Sequence, residues 1–539
     1  MESVRRRWLV GWCVLVLASG CARSTPSPGA SGVIEHNVSP TQALAASEEL
    51  LALGRTTYEK ECTACHGPAG DGLGAAAYLL YPRPRDFTTG QFRLISTWDN
   101  VPTDEDLFRT ISRGMPGSAM PSWAHLSEET RWGLVHYVKG FSKRPLTVRA
   151  AHQPDKWGNG GAGVIAVPSE PPYDEGARAR ANELYARGCA PCHGPAARGD
   201  GAQKQVDSKG YPTRPRDLTL GVFKGSPDPQ SVYRRIVAGL PGSPMPQSGY
   251  LQGNDGWHLT HFVRSLSSDE QREKVEMKRF RVVAKRVPAV PGHPDAGTWR
   301  ESSAVNLHLM PLWWRTDRPE EVTVKAVHDG DNLALLLKWE DTSADETAIR
   351  PQDFRDGAAV QFALAANPPF FAMGQPGQAV NIWMWKSERQ ADLEPAFQDI
   401  DNVYPNIGID SYPNLLKSPL EQPTRRALTL DSDPAYVTAW GAGNIVADPT
   451  RRSPAENLRA EGFGTLKAHP RESQTVKANG RYMTGSYVVQ FARSLRGGNG
   501  EVRFSPGAPV SVAFAIWNGS AGDRDGKKSV TIWQELVLE

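Results

Sequence analysis

The chain runs to 539 residues, more than one hydrophobic core sustains and enough for about three domains of ordinary size. Lys plus Arg number 61 and Asp plus Glu 59, a formal net charge of only +2, and no basic block follows the first few residues. That balance excludes a charge-driven nucleic-acid binder and favours protein partners met through local patches.

Arg5, Arg6 and Arg7 precede an apolar run over 8–18 that is too short to span a bilayer and has the shape of a secretory leader, expected over 1–21. The run ends in Leu17 Ala18 Ser19 Gly20 Cys21, which resembles a bacterial lipoprotein cleavage box, with Ala18 where such boxes more often carry leucine. The resemblance implies lipid on Cys21 as the first mature residue and attachment to the periplasmic side of a membrane. An ordinary leader with an incidental cysteine is the alternative. The stretch over 22–44, rich in Pro, Ser and Gly at 24–32, is expected to be a flexible tether. No later segment is apolar enough to cross a membrane.

Cys62 Thr63 Ala64 Cys65 His66 recurs as Cys189 Ala190 Pro191 Cys192 His193. Two cysteines three apart with a trailing histidine are the c-type haem attachment signature: both thiols add across vinyl groups, and the histidine takes one axial face of the iron. The spacing suits a helix, where residues i and i+3 share a face. Half a zinc site or a redox pair would not need the histidine. With Cys13 lost in the leader and Cys21 lipidated, no disulfide is left, so stability must come from cores and cofactors.

The residues that follow repeat as well. Gly70 Asp71 Gly72, Pro84 Arg85 Asp86, Phe92 Arg93 and a methionine loop over 114–121 return as Gly199 Asp200 Gly201, Pro215 Arg216 Asp217, Phe223 Lys224 and a loop over 239–246. The duplication selects the sixth ligand: Met115 is matched by Leu240, but Met120 is matched by Met245, so Met120 and Met245 are the expected distal ligands. Arg85 and Arg216 are candidates either for bidentate contacts to haem propionates or for salt bridges to adjacent loops. His136 and His261, also matched, are read as structural, because His66, His193 and the methionines fill the axial positions. Ser47, Ser127 and Asp174 are expected helix caps, with Gly54 and Ala181 at helix crossings. Residues 45–142 and 173–268 thus resemble two class I cytochrome c domains, with 143–172 as a linker.

From about residue 282 the pattern turns to period two. Strands are expected over 322–327, 333–339, 358–364, 379–385, 487–491, 510–517 and 529–538, giving a β-sandwich. The fold class is therefore multidomain: two all-α cytochrome c domains plus a C-terminal β-sandwich. Val327 His328 Asp329 Gly330, Met373 Gly374, Val380 Asn381 Ile382 Trp383 Met384 Trp385 Lys386, Ala513 Phe514 Ala515 Ile516 Trp517 Asn518 Gly519 and Lys528 Ser529 Val530 Thr531 Ile532 Trp533 resemble the haem b domain of the ethylbenzene dehydrogenase and dimethylsulfide dehydrogenase gamma subunits, over 278–539. That resemblance implies one non-covalent haem b held by methionine and lysine, and partnership with molybdenum and iron–sulfur subunits. The methionine falls on Met373. The lysine falls on Lys528, which shares a strand face with Val530 and Ile532, or else on Lys386. Trp383, Trp385 and Trp517 either line that pocket or belong to the core. Gamma subunits of this kind consist of the b domain alone, whereas two c domains precede it here.

The expected product is an exported multihaem electron-transfer protein carrying two covalent haem c and one haem b. A haem enzyme, such as a peroxidase or small-anion reductase, would need an iron with a vacant position. A dicytochrome c with a haem-free binding module is the remaining alternative.

Overall fold

The computed structural model describes residues 31–539 apart from 371–372, 394–397, 399, 407–441, 443 and 446–450. The expected leader and Cys21 lie outside the described residues.

Each c-type half is a set of short helices whose ends are set by side-chain caps. Ser47 accepts from the Leu50 N–H to start Glu48–Glu61, and Ser127 accepts from Thr130 to start Glu128–Lys139. Asp174 does the same for Glu175–Gly188 and Asp228 for Pro229–Ala238, while Asp255–Ser265 closes the second copy. The first and last helices of the first copy cross backbone to backbone: a Cβ on Gly54 would lie 2.1 Å from the Gly133 carbonyl oxygen. Ala181, fully buried, takes the equivalent place in the second copy. Tyr58 and Tyr185 donate to the Gly67 and Gly194 carbonyls at 2.8 Å in both copies, tying each first helix to the turn after its histidine. His136 Nε2 donates to the Leu44 carbonyl at 2.8 Å, and His261 stacks on Tyr173.

Two expected spacers are ordered parts of the structure. Gly32–Ile34 is a strand paired antiparallel with residues Arg279 to Arg281, and Arg131 and Trp132 donate to the Asn37 and Gln42 carbonyls. The tether expected over 22–44 is therefore tied down from Gly32 onward, because its backbone finds partners on two domains. The expected linker over 143–172 buries Ile165 among Ile95 and Trp98 of the first copy and Tyr233, Val237 and Trp257 of the second. Its lack of periodicity reflects an irregular path and not freedom.

The C-terminal half is a β-sandwich built as one continuous pairing path. One layer holds Ala455–Ala460, Val380–Lys386, Gly357–Ala363, Val510–Trp517 and Gln534–Leu538; the other holds Glu321–His328, Asn332–Glu340, Ser486–Ser494 and Lys477–Met483. Arg279–Arg286 passes between them, parallel to Gln534–Leu538 through Ala284 and parallel to Glu321–His328 at Lys285 and Arg286. Alternation along the strands sends Val360, Phe362, Trp383, Trp385, Val512 and Phe514 into the core between the layers. The opposite set, Ala359, Ala363, Ile382 and Ala513, faces outward and packs toward Ala76, Leu80, Ala119 and Trp123 of the first c-type half. The strand expected over 529–538 is two strands, Ser529–Val530 and Gln534–Leu538, separated where Thr531 and Phe514 bond through N–H, carbonyl and hydroxyl groups. Backbone bonds from Tyr81 to Leu312 and from Trp314 back to Tyr81 lock the first c-type half onto the sandwich.

Candidate haem sites

Three apolar cavities collect the residues singled out by sequence. The first is lined by Cys62, Cys65, His66, Met115 and Met120. His66 Nδ1 lies 2.9 Å from the Arg85 carbonyl, so that nitrogen donates and Nε2 is left as the lone-pair donor; Phe87 stacks on the ring at 4.5 Å. Burial pushes the His66 pKa down to about 4 and the Cys65 thiol up to about 12. The imidazole is thus neutral, as an iron ligand must be, and the thiols are uncharged.

The second cavity is lined by Cys189, Cys192, His193, Leu240 and Met245. Burial lowers the His193 pKa and raises Cys189 to about 11. The Arg216 carbonyl takes the place of Arg85 beside His193, outside strict hydrogen-bond geometry. The methionine loops close alike: Met115 N–H donates to Met120 O at 3.0 Å, and Leu240 N–H to Met245 O at 3.1 Å. Met115 and Met120 both reach the first cavity, so only the match to Leu240 and Met245 separates them.

The third cavity, the most spacious of the three, lies between the outward face of the sandwich and the first c-type half. Met373, Lys528 and Lys386 all line it. Its floor is made of Gly357, Ala359, Ala513 and Ala515, a run of small residues on which a flat macrocycle can lie and which larger side chains would fill. Trp517 lines it, whereas Trp383 and Trp385 are core. The two lysines differ in setting. Lys386 Nζ lies 3.6 Å from a Glu456 carboxylate oxygen that also pairs with Arg389; burial and then the Arg389 cation lower its pKa, and Glu456 opposes them by favouring the charged amine. Lys528 has its Nζ 4.8 Å over the Trp517 ring, and burial lowers its pKa to about 8, toward the neutral amine that ligation needs. Met373 sits at φ 55, a left-handed conformation uncommon outside glycine, with its N–H bonded to Gln361 Oε1 at 3.1 Å and its carbonyl to the Gly462 N–H at 2.8 Å.

The cavities share walls. Cys65, Leu80, Ala119 and Phe370 line both the first and the third. Arg216 and Lys224 line both the first and the second. Among the described residues none lines both the second and the third, so the first cavity is in the middle. Sequence reasoning missed Phe370 and the alanine floor; the small residues alternating with Val360, Val512 and Phe514 were the available signal.

Residues 49–138 match the family described as cytochrome c oxidase, cbb3-type, subunit III; residues 178–267 match cytochrome c; residues 314–529 match ethylbenzene dehydrogenase. The chain is 28% identical over 259 residues to the chlorate reductase subunit gamma of Ideonella dechloratans, covering 45% of this chain and 78% of that one. It is 24% identical over 280 residues to the dimethylsulfide dehydrogenase subunit gamma of Rhodovulum sulfidophilum, covering 50% and 74%. It is also 24% identical over 217 residues to the ORF7 protein of Haloferax mediterranei, named as a respiratory nitrate reductase heme subunit. That match covers 40% of this chain and only 54% of ORF7.

Proposed function

With two cytochrome c domains and an ethylbenzene dehydrogenase domain on one chain as premise, we propose an electron relay that links a haem b in the sandwich with the haem on Cys189 and Cys192 by way of the haem on Cys62 and Cys65. The wall-sharing of the cavities carries this reading, because it places the first c-type cavity between the other two. His66 with Met120, and His193 with Met245, would hold the iron in the c domains, and Met373 with Lys528 would hold it in the sandwich. Bound there, haem supplies reversible one-electron chemistry; the chain orients the ligands and excludes water. Six protein ligands leave no iron open to substrate, which favours a carrier over a peroxidase or small-anion reductase.

The protein then serves as a subunit or close partner of a respiratory oxidoreductase, as do the proteins named chlorate reductase and dimethylsulfide dehydrogenase subunit gamma, and molybdenum and iron–sulfur subunits are the partners that the resemblance implies. It works on the periplasmic side of a bacterial membrane, held by lipid on Cys21. A haem stain with acid acetone extraction tests the cofactor set. The expected result is two haems that stay with the protein and one that leaves. No extractable haem, or fewer than two covalent haems, overturns the relay. Met120→Ala or Met245→Ala is expected to lower the potential of one centre and open it to cyanide or carbon monoxide. Unchanged spectra in both variants would show these ligands to be wrong.

A further inference from the structure

The duplicated pairs Arg85 and Arg93, Arg216 and Lys224 converge on the seam between the two c domains. Arg85 and Arg93 line the first cavity, and Arg216 and Lys224, from the second domain, line it as well as their own. The convergence is reciprocal. A Cβ on Gly117, in the first methionine loop, would lie 2.6 Å from Arg216 Nη1; one on Gly242, in the second, would lie 3.0 Å from Arg85 Nη1.

Fixed anions at the seam do not match these cations. Asp207 approaches Arg93 at 3.9 Å, and Asp86 is engaged by Lys209 at 2.8 Å. Arg216, only 7% exposed, stacks on the Trp314 ring at 3.6 Å and donates to the Pro116 carbonyl at 3.4 Å, while its Nη1 has no hydrogen-bond partner among the described residues. Burial lowers the pKa of Arg85, Arg93, Arg216 and Lys224; neighbouring cations lower it further at Arg85 (Arg93), Arg216 (Arg318, then Arg93) and Lys224 (Arg216, Arg93 and Arg85), whereas Asp207 opposes the shift at Arg93. Burying cations this way is unfavourable unless carboxylates or similar anions arrive with the cofactors.

We propose that Arg216 and Lys224 are shared carboxylate receptors, binding propionates of the first haem across the domain boundary as well as those of their own haem, so that the two c-type centres meet propionate edge to propionate edge. This rests on both c domains holding covalent haem. A cation at the seam then faces both irons. Its removal favours the more positive, oxidised form of each, and both potentials fall.

The test is a spectroelectrochemical titration of full-length protein with its two covalent haems verified by stain. Lys224→Gln and Arg216→Gln are each expected to move both c-type waves to lower potential, Lys224→Arg to restore them, and Arg187→Gln, on an exposed helix face, to move neither. Movement of only one wave, or of none, overturns the shared-receptor proposal and leaves the relay standing. So does loss of a haem in Lys224→Gln, because thioethers and axial ligands hold the group without that receptor. Fewer than two c-type waves in the unaltered protein defeats the relay itself.

Discussion

In each c domain the two cysteines and the histidine that meet at the cavity arrive together in one turn, as in Thr63–His66 with Cys62 at its cap. In the sandwich, Met373 and Lys528 come from distant parts of the chain. They are joined by three successive strand pairings, from Val380–Lys386 to Gly357–Ala363, on to Val510–Trp517, and then to Ser529–Val530. A covalently held cofactor is written as a contiguous motif because chemistry fixes the spacing of the reacting atoms. A non-covalent site is written in sheet register and in small residues scattered over a face, so its position depends on the whole domain folding first.

The largest effect should come from breaking the middle site. Cys62→Ser with Cys65→Ser is expected to leave one covalent haem and to cut the sandwich off from the second c domain. Cys189→Ser with Cys192→Ser should also leave one covalent haem but preserve exchange between the first c domain and the sandwich. Haem staining with rapid reduction kinetics distinguishes the two, and equal transfer in both variants would refute the order. Next in size, Lys528→Leu should abolish nearly all extractable haem, whereas Lys386→Leu, whose amine is engaged by Glu456, should retain it. The reverse pattern would move the ligand to Lys386.

What the sequence made legible follows the same division. Capping residues Ser47, Ser127 and Asp174, the two attachment turns and the strand Val510–Trp517 are decided by neighbours within a few positions. The parallel strand Arg279–Arg286, the docking of Gly32–Ile34 and the reach of Arg216 into the first cavity depend on partners hundreds of residues away or on another domain, and no local pattern announces them. Trp383 and Trp385 stayed ambiguous for a related reason: an apolar strand buried on both faces carries no contrast to say which face meets a cofactor.

The two c domains also differ where their terminal helices cross. Gly54 rests on Gly133, and the added Cβ of Gly54→Ala would meet that carbonyl at 2.1 Å, so the helices must separate. The expected cost is about 1–3 kcal/mol in the first domain, measured by denaturant unfolding. Ala181→Gly in the second domain should cost about 1 kcal/mol, through backbone entropy and a lost methyl. Equal costs at both sites would mean that the glycine contact does not set the first crossing.

The last expected effect depends on pH and concerns Asp356, on the wall of the sandwich cavity and wholly buried. Its carboxyl accepts the N–H groups of Gly519 and Asp345, each at 2.7 Å, yet burial first and nearby Asp341 second raise its pKa from 3.8 to about 7. The folded state therefore keeps this proton up to about pH 7, while the unfolded chain releases it near 3.8. Its contribution to stability is full below about pH 4 and is lost as pH rises through 7, a difference of up to about 4 kcal/mol. Asp356→Asn carries no charge to desolvate. Its single oxygen can serve only part of the N–H pair, at a cost of about 1 kcal/mol. The variant should be less stable than the natural protein at pH 4 and more stable at pH 8, with haem release on denaturation as the reporter of the sandwich. Parallel stability curves for the two proteins across that range would show that Asp356 is ionised in the fold throughout and that its two N–H partners outweigh its burial.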